Sequence, residues 1–250
     1  MSRPMNPIIL IPARMAATRL PGKPLADIGG VPMIVRVLRQ AEKAGVGPVA
    51  VAAGDAEIVE AVRAAGGTAV LTDPDLPSGS DRILAALEVL DPEGKHDVII
   101  NLQGDMPFVD PAIVRTLVER FAEQPGLEMA TLVAPEASPA DRSNPDVVKA
   151  VMSLARDADF GRALYFTRST LYGDGPVWRH IGIYGYRRAA LEQFVMAASP
   201  SPLEIREKLE QLRALELGVE IWAAIVGSAP ISVDNPADLD AARAQAKAQS

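Results

Sequence analysis

The stretch Ile8-Ile9-Leu10-Ile11-Pro12-Ala13-Arg14-Met15-Ala16-Ala17-Thr18-Arg19-Leu20-Pro21-Gly22-Lys23-Pro24 decides how this chain is read. Four apolar, mostly β-branched residues, Ile8 to Ile11, predict a short buried strand. Pro12 is expected to end it, because proline has no N–H to give to a ladder. A loop of small residues follows, carrying three cations, Arg14, Arg19 and Lys23, in a chain of formal net charge −7. Cations gathered at the carboxyl end of the first strand of an acidic protein point to an anion, because open α/β sheets bind their ligands there. The plain alternative is a solvated basic turn. The loop is not a Walker A sequence, which needs Gly-Lys-Ser/Thr opening a helix, and it lacks the G-x-G-x-x-G of a dinucleotide fold.

Composition narrows the rest. The chain has 250 residues, 48% hydrophobic and 23% charged, as an ordinary soluble domain with a sizeable core would. It is acidic and has no Lys/Arg run, so no nucleic-acid partner is expected. No apolar stretch approaches the roughly 18 residues of a membrane span, and the N-terminus has no signal-peptide core. A cytoplasmic location without membrane contact is therefore expected. The absence of cysteine excludes disulfides, thiolate catalysis and Cys-ligated zinc.

Beyond the first loop, Val31 to Gly45 reads as a helix stopped by its glycine, and Pro48 to Ala53 as a second strand. Asp55 is placed to cap a helix that Gly66-Gly67 ends, and Thr68 to Leu71 is a third strand. This alternation predicts parallel strands with right-handed crossovers. Asp73 to Arg82 is a loop opening a helix, with Ser80 a possible N-cap and Asp81 suited to the first turn. That reading leaves Arg82 unexplained, since a cation is unfavourable near a helix N-terminus.

The run Asp97-Val98-Ile99-Ile100-Asn101-Leu102-Gln103-Gly104-Asp105 has no alternation, so its strand should be buried on both faces. It delivers Asp105 just past a strand's carboxyl end. A turn aspartate bonding its own backbone is common in Gly-Asp. Beside a phosphate loop, however, Asp105 suits a Mg²⁺ ligand, because a hard cation takes oxygen ligands shared with phosphates. Asp110-Pro111 starts a helix through about Ala122, and Glu128 to Ala134 is a strand. The rhythm then breaks: Asp146 to Leu154 and Arg162 to Arg168 read as a hairpin inserted into the α/β pattern.

Trp178 to Arg187 is strongly β in composition and places His180, Gly182, Tyr184 and Tyr186 on one face. The bare Gly182 could leave room for a ligand, although a half-buried strand with a polar face reads equally well. Ser201-Pro202-Leu203-Glu204 is a capping box, and Ile205, Leu209, Leu212 and Glu216 fall on one stripe of a predicted helix, with Glu210 and Gln211 beside it. Ile221 to Val226 is a strand. Ile231-Ser232-Val233-Asp234 leads to Asn235-Pro236, which cap the last helix.

Five of these segments, IPARMAATRLPGKPL, SGSDR, the LQGD that ends the fourth strand, HIGIYGYR and SPLEIREKLEQLR, with VDNPADL after them, resemble in order the motifs of the nucleotidyltransferases that activate acidic sugars with CTP. The chain is most similar to the 3-deoxy-manno-octulosonate (Kdo) cytidylyltransferases. The resemblance implies transfer of CMP from CTP to Kdo, with release of pyrophosphate, to supply lipopolysaccharide synthesis.

It also implies a fold: a single domain over 1–250, a three-layer, mostly parallel Rossmann-like sheet with a small antiparallel dimerisation insertion at about 135–178, in a homodimer. Arg14, Lys23 and Asp105 are the implied catalytic residues. Pro12, Ala13, Arg14, Arg19, Lys23, Ser80, Arg82 and Gln103 are implied to bind CTP. Arg168, His180, Tyr184, Glu210 and Gln211 are implied to bind the acid sugar, and Asp105 and Asp234 to hold Mg²⁺. Where the family usually shows an acidic residue after this aspartate, the chain has Met106. Other readings are a related acceptor, such as 8-amino-Kdo or sialic acid, or a CTP-binding regulatory protein without catalysis.

Overall fold

The computed structural model describes residues 5–16, 19–197 and 200–248; Ala17 and Thr18 of the first loop lie outside them. The chain forms two compact units, one of residues 1–115 with 230–250, the other of 116–229. In chain order the first unit holds β1 (Pro7–Ala13), α1 (Met33–Ala44), β2 (Val49–Ala53), α2 (Ala56–Ala64), β3 (Thr68–Leu71), α3 (Gly79–Leu90) and β4 (Val98–Asn101). Its strands run in the order β3-β2-β1-β4, all parallel.

β1 and β4 are buried at every position, as expected of strands covered on both faces. Right-handed crossovers put α1 and α2 on one face of this order and α3 on the other, because the chain steps outward to β3 and then back past β1. The order in which strands are added therefore reverses between β1 and β4, and the ends of those two strands open at the switch point.

Contrary to expectation, β1 does not stop at Pro12, which pairs with Ala52. Successive residues of a parallel strand address opposite neighbours. Gly54 donates to the Ala13 carbonyl (2.9 Å) on the β2 side, so the donor that Pro12 lacks faces the β4 side. Pairing there has already ended at Leu10 and Asn101, and no ladder bond is lost.

Two expected caps also shift. Asp55 stands at the N-cap of α2 without bonding it, and its carboxylate accepts instead from the Met15 N–H at 2.7 Å. The N-cap of α3 is Ser78, whose hydroxyl accepts from the N–H groups of Ser80 and Asp81.

The chain continues through α4 (Pro111–Glu123), where Asp110 caps as expected by accepting from the Ala112 N–H. The second unit contains β5 (Met129–Pro135), β6 (Lys149–Ser153), β7 (Phe160–Thr167), β8 (Trp178–Arg187), α5 (Arg188–Met196), α6 (Pro202–Glu207), α7 (Gln211–Glu216) and β9 (Ile221–Ile225). β5 and β9 are parallel, while β5–β8, β6–β7, β7–β9 and β6–β8 are antiparallel. The sheet is thus mixed, not mostly parallel. The β6–β7 hairpin is built into it through β8 and β9, because its long strands offer hydrogen-bonding edges on both sides. Helix α5 was not foreseen.

The single helix expected from Ser201 onward is two helices. Lys208 adopts left-handed backbone (φ 55°) between α6 and α7. The turn folds the helices back on each other, so that Arg213 on α7 grips the Glu204 carboxylate of α6 at 2.7 Å through both Nε and Nη2. Ile205, predicted on the apolar stripe, is exposed.

The last segment returns to the first unit as α8 (Pro236–Ala248). Val233, Leu239, Ala242 and Ala246 close a core with Ile28 and Met33. Among the described residues no helix is long and apolar enough to cross a membrane.

Candidate active site

The ends of β1 and β4 open into a cavity of about 370 Å³ in the first unit, lined by Pro12, Ala13, Arg14, Arg19, Lys23, Arg82, Gln103, Asp105 and Asp234, among others. Gly22 begins the turn that delivers Lys23, with a φ of 70° that side chains disfavour. Gly104 lets the β4 end pass close to β1, since a Cβ there would meet the Pro12 carbonyl oxygen at 2.9 Å.

At the floor, Lys23 Nζ donates to Asp105 Oδ2 (2.9 Å) and to Asp234 Oδ1 (3.4 Å), and Arg19 Nη2 pairs with the same Asp234 oxygen (3.3 Å). Asp105 and Asp234 are also tied by backbone, Val233 N–H donating to the Asp105 carbonyl at 2.9 Å. Asp238 accepts from the N–H groups of Asp234 and Asn235, which fixes the turn that aims Asp234. Residues more than a hundred positions apart thereby converge on one ammonium.

Arg82 is buried and spends its guanidinium on Thr72 Oγ1 (2.7 Å) and on the carbonyls of Asp73 (2.9 Å) and Pro74 (3.2 Å). It therefore shapes the loop beside the cavity as well as lining it. Burial, and next the charge of Arg14, pull its pKa below the ordinary arginine value. Like charges held this close favour an anion between or near them. Gln103 donates to Asn101 Oδ1 at 3.1 Å. Ser80 lies inside α3, buried, and is not at the cavity wall; Ser78 is.

In the second unit, His180 and Tyr184 share a face of β8, as the alternation predicted, with ring centroids 5.4 Å apart. Phe166 meets His180 edge-on at 5.0 Å, and Tyr186 stacks beyond Tyr184 at 5.9 Å. His180 keeps some accessible surface, yet desolvation pushes its pKa down to about 3, so the imidazole is neutral at physiological pH. Desolvation, then Tyr186 and Glu210, hold the Tyr184 phenol well above its usual range, which also places Glu210 near that ring. Gln211 is buried, with an amide nitrogen that has no hydrogen-bond partner among the described residues. Arg168 donates to the Pro145 carbonyl (3.0 Å), and among the described residues no hydrogen bond or ion pair joins it to His180 or Tyr184.

A cytidylyltransferase family model matches residues 8–221. The 3-deoxy-manno-octulosonate cytidylyltransferase of Parvibaculum lavamentivorans is 60% identical over 96% of this chain and 92% of its own length. The chain belongs to the 3-deoxy-manno-octulosonate cytidylyltransferase family. The enzyme of the same name from Rhodospirillum rubrum is 56% identical over 95% of this chain and 94% of its own. A solved CMP:2-keto-3-deoxy-manno-octonic acid synthetase, complexed with CTP, superposes with a TM-score of 0.89 at 37% identity, covering 98% of this chain and all of the other. The protein is thus a nucleotidyltransferase.

Whether the cavity suits a divalent metal is decided by its oxygens. Asp105 Oδ1 is buried and has no hydrogen-bond partner, so one lone-pair-bearing oxygen of the carboxylate is unspent. No cluster of three or more metal-binding side chains occurs among the described residues. Two carboxylates that leave other positions to phosphate oxygens and water fit Mg²⁺ rather than an all-protein cage. Met106, next to Asp105, is buried, so this position contributes packing.

The residues that sequence reasoning missed are supports: Asp55 on the Met15 N–H, Thr72 under Arg82, and Asp238 behind Asp234. Only the spacing Asn235-x-x-Asp238, a capping box, was available as a signal.

Proposed function

We propose that the enzyme transfers CMP from CTP to 3-deoxy-manno-octulosonate, releasing pyrophosphate, in the cytoplasm and for lipopolysaccharide synthesis. The observation that carries this reading is the Lys23 ammonium shared by Asp105 and Asp234 in a cavity that also presents Arg14 and Arg19. The anomeric hydroxyl of the acceptor attacks the α-phosphorus in line. The new O–P bond forms as the α–β bridge breaks, the hydroxyl proton is released, and pyrophosphate departs with the bridging electrons.

Such a transfer needs positioning and charge neutralisation more than covalent help. Arg14, Arg19 and Lys23 hold the triphosphate and stabilise the leaving pyrophosphate. Pro12, Ala13, Arg82 and Gln103 form the cytidine side, and Ser80, buried within α3, is left out of it. Arg168, His180, Tyr184, Glu210 and Gln211 take the acid sugar. Asp105 and Asp234 would hold Mg²⁺, which when bound supplies charge neutralisation to the phosphate oxygens.

The same reading treats the whole chain as one nucleotidyltransferase domain working as a homodimer through residues 135–178, where Leu164 and Tyr172 are exposed apolar side chains. Sedimentation tests the dimer. Pyrophosphate release measured with CTP, Mg²⁺ and each of Kdo, 8-amino-Kdo and sialic acid tests the reaction. Preference for Kdo supports it, whereas CTP binding without pyrophosphate release from any acceptor would sink it.

A further inference from the structure

The β5–β8 register pairs Thr131 with Tyr184 but Leu132 with Ile181, leaving Gly182 and Ile183 in a bulge opposite one step of β5. The bulge turns two carbonyls toward one hydroxyl. Thr131 Oγ1, fully buried, lies 2.8 Å from Ile183 O and 3.1 Å from Ile181 O. The same oxygen is 3.0 Å from His180 Nε2.

A hydroxyl has one proton and two lone pairs, and carbonyls only accept. If the Thr131 proton went to His180, both carbonyls would face oxygen lone pairs at hydrogen-bond distance. The proton therefore goes to a carbonyl, and Thr131 Oγ1 must accept from His180, which requires the hydrogen on Nε2. In a neutral imidazole the other nitrogen is then an acceptor. Nδ1 makes no hydrogen bond among the described residues.

We infer that Thr131 is a positioning residue that holds His180 as the Nε2–H tautomer, so that Nδ1 accepts a hydrogen bond from a hydroxyl of the acceptor sugar and does not bind its carboxylate. This rests on the reading that His180 belongs to the acid-sugar site. The cause is steric and electronic together: the bulge fixes the carbonyls, the carbonyls fix the hydroxyl, and the hydroxyl fixes the ring. Phe166 and Tyr184 hold the ring plane. A lone pair aimed at a carboxylate would repel it, whereas a hydroxyl donates.

The chain has two histidines, His96 and His180. In ring-labelled protein carrying His96→Gln, nitrogen NMR at neutral pH reads the His180 tautomer without any substrate. The Nε2–H form is expected in this parent and in Thr131→Ser, with a mixture of tautomers in Thr131→Val. An Nδ1–H form or an imidazolium in the parent overturns the proposal, even where Thr131→Val fails to fold.

Kinetics with monodeoxy analogues of Kdo test the other half. One analogue should lose about tenfold in kcat/KM, and that loss should disappear in His180→Phe, as removal of one hydrogen bond implies. An Nε2–H tautomer with no analogue showing this coupling removes the hydroxyl role. Unchanged Kdo kinetics in folded His180→Phe would instead remove His180 from the acceptor site itself.

Discussion

Lys23 and Asp105 are both mostly buried at 2.9 Å, with side-chain exposures of 17% and 20%. Their charges are thus little screened. Asp105→Asn keeps the shape and deletes the charge, and turnover should fall at least about a hundredfold, near 2.7 kcal/mol on the barrier. Near-normal rates at saturating Mg²⁺ would remove Asp105 from the metal. Lys23→Met keeps the stem and should weaken CTP binding far more than CMP binding in calorimetric titration, since CMP has no β- or γ-phosphate. Equal losses would move Lys23 off those phosphates.

His180 carries a different consequence. Its folded pKa of about 3 lies below the ordinary 6.5, so between these values the unfolded chain takes up a proton that the folded one refuses. This contribution to stability is present above pH 6.5 and is lost as pH falls toward 3, with a slope of at most about 1.4 kcal/mol per pH unit. Denaturant unfolding of parent and His180→Gln from pH 7 to 4 should show a shallower loss in the variant. Parallel curves would mean that the imidazole titrates normally.

At the scale of elements, the α6–α7 turn asks a lysine to adopt left-handed backbone, which tertiary bonds must offset. Glu204 is the central partner: it accepts from Arg213 twice and, through the capping box, from Ser201 N–H. The Arg213 guanidinium also stacks over Phe194 at 4.9 Å. Glu204→Gln leaves Arg213 half-paired in a buried setting and should cost about 3 kcal/mol in thermal unfolding. Because α7 begins with Gln211, the acceptor KM should rise with it while CTP affinity holds. A variant as stable as the parent would show that packing alone holds the turn.

Across the molecule, the first unit is completed by its last residues. Leu239 sits in the core with Ile28 and Met33, and the same segment carries Asp234 to Lys23. Leu239→Ala should cost about 2–4 kcal/mol by opening a cavity. The loss should be partly recovered by Mg²⁺ and CTP together, which bind the folded and not the unfolded chain. Urea unfolding with and without both ligands measures it; no recovery would uncouple the return segment from the site.

What could be read from the sequence was local or motif-borne. Ile8 to Ile11 and Val98 to Ile100 announce buried strands because uninterrupted apolar runs have nowhere else to go, and Arg14, Arg19 and Lys23 announce an anion because they lie within ten residues of one strand end. His180 and Tyr184 share a face because the period of a strand is two. Other features depended on groups far away in the chain. The stripe Ile205, Leu209, Leu212 has helical spacing whether or not Lys208 breaks it, and only Arg213 meeting Glu204 decided that it does. Strand direction leaves no trace in an apolar run, so the mixed sheet was settled by pairing between strands. The sequence pointed to Ser80 as the cap, and only the path of the chain into α3 placed Ser78 there instead. The tautomer of His180 belongs to the same class, since it follows from two carbonyls that meet Thr131 from about fifty residues away.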